Sequence, residues 1–357
     1  MSRYASLREL YLTRLREFYR QPARIFWVYF FPTILAICLG FAFRSRPPEA
    51  VAFVLVDNAA TGPIQAALET KEAQTGRPGR PGLRFQTLTP EEAMHRLKTG
   101  KTALVVEPET SGAVRYHFDP TRPEANVARM AVDDALQRAQ GRLDPIPTAD
   151  DRITEPGSRY IDFLIPGLIG LNTMGGGMWG IGFLLVNFRI AKLLKRFMAT
   201  PMPRANFLLA LLGARLTFLV PDVGVLLLMG VFAFGMPIRG SLAVLALVEV
   251  AGALAFAGLG LLVGSRARTT ETVSGLMNLV MLPMWLFSGV FFSSDRFPAP
   301  LQPFIQALPL TQLNNALRLV ILEGADLTSP GIVLALAILT AWAVGTFALA
   351  LRLFRWT

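Results

Sequence analysis

The chain has 357 residues, 52% of them hydrophobic and 17% charged, with a formal charge of +10 and a mean hydropathy of +0.44. That balance excludes a disordered chain and is too apolar for a water-soluble protein of this length, which leaves an integral membrane protein. A single cysteine, Cys38, excludes an intrachain disulfide or a cysteine metal site, and two histidines, His95 and His117, offer little imidazole chemistry.

Residues 1–24 read as a cytoplasmic interfacial amphipathic helix. Leu7, Leu10, Tyr11, Leu15, Phe18 and Tyr19 share one face, and Arg8, Arg14, Arg16 and Arg20 spread over the rest, a pattern suited to the headgroup plane. A cleaved signal peptide is a poor reading, because these polar and aromatic residues precede the first apolar run and no small-residue cleavage site follows it closely.

Six apolar runs follow: Ile25–Phe43, Ile161–Val186, Phe207–Phe234, Leu242–Val263, Val273–Phe292 and Ile332–Leu353. Each is long enough, at about 1.5 Å per residue, to cross a hydrocarbon core of about 30 Å. The expected fold is therefore a polytopic α-helical membrane protein of six transmembrane helices. Six of its Lys and Arg residues lie in Met1–Arg24 and five in Asn187–Arg204, whereas the opposite short loops hold Arg239, Arg296 and Arg318. Both termini are thus expected in the cytoplasm, and the positive charge is explained without nucleic acid as a partner.

Between the first span (25–43) and the transmembrane domain 160–357, residues 44–159 read as an inserted α/β domain outside the cytoplasm. Ala50–Asp57 and Thr102–Glu107 look like buried strands, Leu83–Leu88 and Ala113–Phe118 like alternating ones. Thr89 followed by Pro90 starts a helix, and Arg122–Gln140 repeats apolar residues at helical spacing. Gly76–Gly82 is a flexible glycine- and proline-rich loop.

The second span is rich in glycine, and Gly176 and Gly180 have the spacing of small-residue helix contacts, within one chain or between two. A phosphate loop is excluded, because no strand precedes these glycines and no Lys-Ser/Thr follows. The cytoplasmic loop 187–204 then carries Arg189, Lys192 and Arg196 about one helical turn apart, with Leu193, Leu194 and Phe197 on another face. Positive-inside flanking accounts for such charges equally well.

Three ionisable residues fall inside spans: Arg215 and Asp222 in the third, Glu249 in the fourth. Each costs about 2.5–3.5 kcal/mol near the bilayer centre, so they should be paired. Arg215 has either carboxylate as its expected partner, and Pro221 predicts a local kink. The pairing reads as a structural tie between helices or as a polar contact for a substrate or proton.

The last distinctive stretch is Ser265–Arg318. A charged turn (Arg266, Thr269, Glu271) leads into an apolar span broken at Pro283, Ser288 and Gly289, and an outer segment 293–330 follows, punctuated by Pro298 and Pro309. Irregular backbone at membrane depth is tolerated only where protein or a water-filled cavity satisfies it, which points to a translocation path.

Together with Pro22–Phe43 and Tyr160–Pro203, this order of elements resembles the membrane subunit (permease) of a type 2 ATP-binding-cassette exporter. The stretch Lys195-Arg196-Phe197-Met198-Ala199-Thr200-Pro201-Met202 is similar to the end of the family's coupling helix. The resemblance thus implies that Arg189, Lys192, Lys195, Arg196, Phe197 and Pro201 meet an ATPase subunit. The family commonly has Arg-Glu shortly after this span; here Arg189 is followed by Ile190.

No phosphate-binding Gly-x-x-x-x-Gly-Lys-Ser/Thr occurs, so no cofactor is expected in this chain and ATP would be bound by the partner. The implied assembly is a dimer with a second copy or homologue of the chain, joined to ABC ATPase subunits in a lipid bilayer. Arg-, Ala- and Leu-rich usage suggests the bacterial plasma (inner) membrane. The alternative is a membrane-anchored envelope scaffold or binding protein acting through residues 44–159. An intramembrane enzyme is weaker still, because the spans offer no catalytic cluster and no metal ligands.

Overall fold

The computed structural model describes residues 5–42, 50–69, 81–142, 157, 159–199 and 204–353. Residues 76–80 of the glycine-rich loop and Pro201 lie outside these. The chain divides into two compact units, Met1–Arg44 with Thr154–Thr357, and Ser45–Ile153.

The first unit begins with α1 (Ala5–Tyr19), α2 (Pro22–Ile25), a π-helical turn (Phe26–Phe30) and α3 (Phe31–Ala42).

The second unit contains β1 (Val51–Val56), α4 (Thr61–Leu68), β2 (Leu83–Leu88), α5 (Pro90–Lys98), β3 (Leu104–Pro108), β4 (Val114–Phe118) and α6 (Pro123–Ala139). Pro90 and Pro123 open their helices where the missing N–H has no helical partner to lose. The sheet order is β2-β1-β3-β4, parallel except for β4. Phe53, Leu55, Leu83, Leu104 and Val106 face α4 and α6, while Val54, Val56 and Val105 face Ala93 of α5. Strand positions buried on both faces must be apolar, which is why β1 and Leu104–Val106 of β3 read as apolar runs.

The first unit resumes with α7 (Tyr160–Gly177), a π-helical turn (Met178–Phe183), α8 (Leu184–Ile190), α9 (Leu193–Met198), α10 (Arg204–Phe234), α11 (Leu242–Arg266) and α12 (Thr270–Phe287). It ends with α13 (Gln302–Ala307), α14 (Pro309–Arg318) and α15 (Pro330–Leu353). Ser241 and Thr269 cap α11 and α12 through their side-chain oxygens. Central α11 packs along α15 and α7.

Among the described residues, four helical runs are long and apolar enough to span a bilayer: Tyr160–Ile190, Asn206–Phe234, Leu242–Arg266 and Pro330–Leu353. The first expected span is the shorter helix Phe26–Ala42. The fifth stops at Phe287, five residues before the apolar run ends, because Gly289 adopts a left-handed φ of 69°. The outer surface of the unit is apolar, with Phe232, Val220, Leu279 and Val344 more than 60% exposed. So many large apolar side chains facing outward fit a lipid solvent.

Glycine sets the closest helix approach. A Cβ on Gly260 of α11 would stand 2.6 Å from the Gly177 carbonyl oxygen, and one on Gly264 would stand 2.7 Å from that of Gly182. The expected Gly176/Gly180 pair is not this seam: Gly180 has open space around it and Gly176 faces the Arg215 side chain. The apolar side of α1 also differs from expectation, because α10 takes part of it. Phe18 stacks on Phe218 at 4.1 Å between centroids, and the Tyr11 hydroxyl bonds the Thr217 hydroxyl at 2.7 Å.

Candidate functional site

Arg215 and Asp222 stand seven residues apart on α10, so two helical turns bring them to one face. Arg215 Nη1 donates to Asp222 Oδ2 at 2.6 Å, with both side chains buried. Helix α10 continues through Pro221. Asp222, and not Glu249, is therefore the ion-pair partner. Arg215 Nη2 donates to the Thr173 carbonyl at 3.2 Å, and the Thr173 hydroxyl donates to Glu249 Oε2 at 2.8 Å. Thr173 thus links α10 and α11 through α7. Gly176, one turn further along α7, leaves the space the guanidinium fills: Nη1 lies 2.6 Å from where a Cβ would stand.

Among the described residues, Arg215 Nε, Asp222 Oδ1 and Glu249 Oε1 are buried without hydrogen-bond partners, and the same holds for the Tyr29 hydroxyl. Thr173 and Tyr29 were missed by sequence reasoning. The available signal was weak: Thr173 is the one hydroxyl of its apolar run, and Tyr29 shares its run with Thr33.

The cationic stretch after the second span is not one helix. Lys192 has a left-handed φ of 55°, which separates α8 from α9 and is unfavourable for a side chain with a Cβ. Arg189, at the end of α8, donates to the Gly264, Ser265 and Ala267 carbonyls at 3.0, 2.9 and 2.5 Å. It therefore caps the C-terminus of α11, where unpaired carbonyls and the helix dipole favour a cation. Arg189 therefore does not sit one helical turn before Lys192 and Arg196 on a single helix, as the spacing suggested. Beyond the break, Leu194 is buried among Leu184, Leu185, Phe207 and Leu261, while Lys192, Lys195 and Arg196 are exposed. Phe197 belongs to α9, and Pro201 lies outside the described residues.

The broken outer segment is held by side chains that satisfy its backbone. Pro283 sits within α12, Ser288 ends it, and Gly289 makes the left-handed turn. Asn314 Nδ2 donates to the Ser288 carbonyl at 2.8 Å. Arg318 donates to the carbonyls of Gly289 and Phe163, its guanidinium 3.7 Å from the centre of the Phe163 ring. The Tyr160 hydroxyl donates to the Phe291 carbonyl at 3.0 Å. Further along, Pro298 precedes a 3-10 turn and Pro309 opens α14, and Trp342 Nε1 reaches the Ala307 carbonyl at 2.9 Å. The carbonyls of Ser288, Gly289, Phe291 and Ala307 thus meet side-chain donors within the protein, as backbone at membrane depth must. At the start of α7, Asp162 accepts both Arg159 Nε and Nη2 at 2.9 Å.

Residues 23–352 match the family described as ABC-2 family transporter protein. A probable multidrug ABC transporter permease of Escherichia coli (strain K12), YbhS, is 22% identical over 345 residues, covering 89% of each chain. Another probable multidrug ABC transporter permease of the same organism, YbhR, is 24% identical over 172 residues, covering 48% of this chain and 47% of its own. ABC transporter G family member 20 of Dictyostelium discoideum is 26% identical over 211 residues, 59% of this chain, and the matched part is 29% of that longer protein. With nearly its whole length in the family match, the chain belongs to the ABC-2 transporter family and is a membrane subunit of an ABC transporter.

Proposed function

We propose that the chain is the permease subunit of an ATP-driven exporter, with six transmembrane spans and both termini in the cytoplasm of a bacterial plasma (inner) membrane. On this reading residues 44–159 lie outside the cytoplasm, and two copies, or this chain and a homologue, form the path. A separate ABC ATPase supplies the motor, because the chain has no phosphate-binding loop for ATP. The family match over residues 23–352 carries the reading. The likeness to a probable multidrug permease makes drugs the first substrates to test.

Helix α9 is the proposed contact with the motor. Leu194 anchors it among buried side chains, and Lys192, Lys195 and Arg196 are exposed. The Arg189 cap ties the preceding helix to the α11–α12 turn, so a push on α9 reaches two spans at once. Changing Lys192, Lys195 and Arg196 together to Ala should leave the subunit in the membrane and abolish ATPase association or substrate-stimulated hydrolysis. Co-purification and ATP turnover read the result. Unchanged assembly and transport would remove α9 from the contact, and absence of any ATPase from the parent complex would favour the envelope-scaffold alternative.

Orientation has its own test. Single cysteines at Gly79 and Lys195, in a Cys38→Ala background, should react with an impermeant thiol reagent in spheroplasts only at Gly79. Reaction at Lys195 instead would invert the topology.

A further inference from the structure

Residues 45–153 hold fourteen Lys and Arg against fifteen Asp and Glu, so the α/β unit is close to neutral. A large cleft within it is not. Strand β1 pairs with β2 along its whole length, Val51 to Val56, but with β3 only at Val54 and Leu55. Below Val54 the strands part, and the Gly100–Ala103 turn leading into β3 leaves a cleft of about 1130 Å³. Helix α5 covers the other end of that sheet face, where Val54, Val56 and Val105 pack on Ala93.

Arg84, Arg96, Lys101 and Arg122 line the cleft against a single acid, Glu69. Arg96 is held by Gln86 at 2.7 Å and by Glu92 at 3.3 Å, and Arg122 by Glu124 at 2.8 Å. Arg84 and Lys101 have no carboxylate partner among the described residues, and both are exposed to the cleft's solvent. With Arg96 and Arg122 already paired, Arg84 and Lys101 outweigh Glu69 and leave a net positive potential focused into the concavity. Arginine forks match phosphate and carboxylate oxygens, and the volume is that of a small-molecule site.

We infer that this cleft binds a small polyanion, a molecule bearing phosphate or clustered carboxylate groups, with Arg84 and Lys101 as its principal contacts and Arg96 and Arg122 as pre-positioned forks. The anion neutralises charges that have no carboxylate partner among the described residues. The site holds whichever side of the membrane the unit occupies, so its test is independent of the transport reading.

The test is calorimetric titration of the full chain in detergent at moderate salt with two probes, sodium pyrophosphate and dihexanoyl phosphatidic acid. Saturable one-to-one binding is expected for at least one. Tighter binding of the lipid assigns a headgroup as the natural ligand, and tighter binding of pyrophosphate assigns a soluble anion. Arg84→Gln with Lys101→Gln should weaken binding by at least about tenfold. Glu69→Gln, which removes the opposing carboxylate, should tighten it by about threefold, a gain that misfolding cannot imitate. Arg115→Gln, on β4 and outside the cleft, should change nothing. No saturable binding of either probe, an equal loss from Arg115→Gln, or no gain from Glu69→Gln would each overturn the assignment.

Discussion

Two polar regions lie within the helical unit, and they are satisfied by opposite means. Around Arg215, full charges meet: a guanidinium and a carboxylate pair at 2.6 Å, and one atom of each remains buried without a partner among the described residues. In the broken segment 288–318, Asn314 and Arg318 donate to neutral backbone carbonyls, and Arg318 has no carboxylate partner among the described residues. The first arrangement is brittle, because losing either member leaves the other as an uncompensated charge in a medium that cannot solvate it. The second is distributed: each carbonyl is a modest acceptor, and no single donor neutralises a charge.

The largest effect should therefore follow from breaking the ion pair. Arg215→Leu is expected to cost about 3–5 kcal/mol, seen as loss of monodisperse protein in fluorescence-detected size exclusion after heating. Adding Asp222→Leu should recover much of it, because both charges then leave together. Adding Glu249→Leu instead should not. Recovery by the Glu249 change would reassign the pair.

Removing a carbonyl-capping cation should cost less. Arg318→Met keeps the stem against the Phe163 ring and deletes the donors to Phe163 and Gly289, for an expected loss of about 1.5–3 kcal/mol. A loss as large as that of Arg215→Leu in the same melting assay would mean that Arg318 neutralises a charge after all.

The glycines separate tight packing from open surface at smaller magnitude still. Gly260→Ala forces a methyl against the Gly177 carbonyl and should cost about 1–3 kcal/mol. Gly180→Ala, with nothing within 4 Å, should be neutral or slightly stabilising, since alanine favours a helix over glycine. A destabilised Gly180→Ala chain whose dimer also dissociates would place that glycine at a contact between subunits.

What the sequence made legible was local. The run Ala50–Asp57 contains β1, Thr102–Glu107 overlaps β3, and Thr89-Pro90 marks the start of α5, because apolar pattern and proline chemistry act within a few residues. The Arg215–Asp222 spacing was equally readable, being a property of one helix. The choice between Asp222 and Glu249 was not, since it depends on how α10 and α11 pack against Thr173 of α7. The break at Lys192 was hidden for the same reason. Cations spaced one turn apart read as a continuous helix, and the carbonyls that hold Arg189 belong to residues more than seventy positions away.

The finest test concerns Glu249. Its Oε2 accepts from the Thr173 hydroxyl, its Oε1 has no partner among the described residues, and Arg215 is engaged by Asp222 and the Thr173 carbonyl. Glu249→Gln keeps an acceptor for Thr173 and removes no ion pair, so its cost should stay within about 1 kcal/mol, the scale of one neutral hydrogen bond. Asp222→Asn deletes the charge that faces Arg215 and should approach the cost of Arg215→Leu. Thr173→Val is expected to lie between them, since it removes the hydroxyl but leaves the carbonyl that Arg215 uses. That ordering in thermal melts of the purified subunit, Asp222→Asn worst and Glu249→Gln mildest, is what the geometry requires; a Glu249→Gln variant as damaged as Asp222→Asn would show that both carboxylates share the guanidinium and that Thr173 is a bystander.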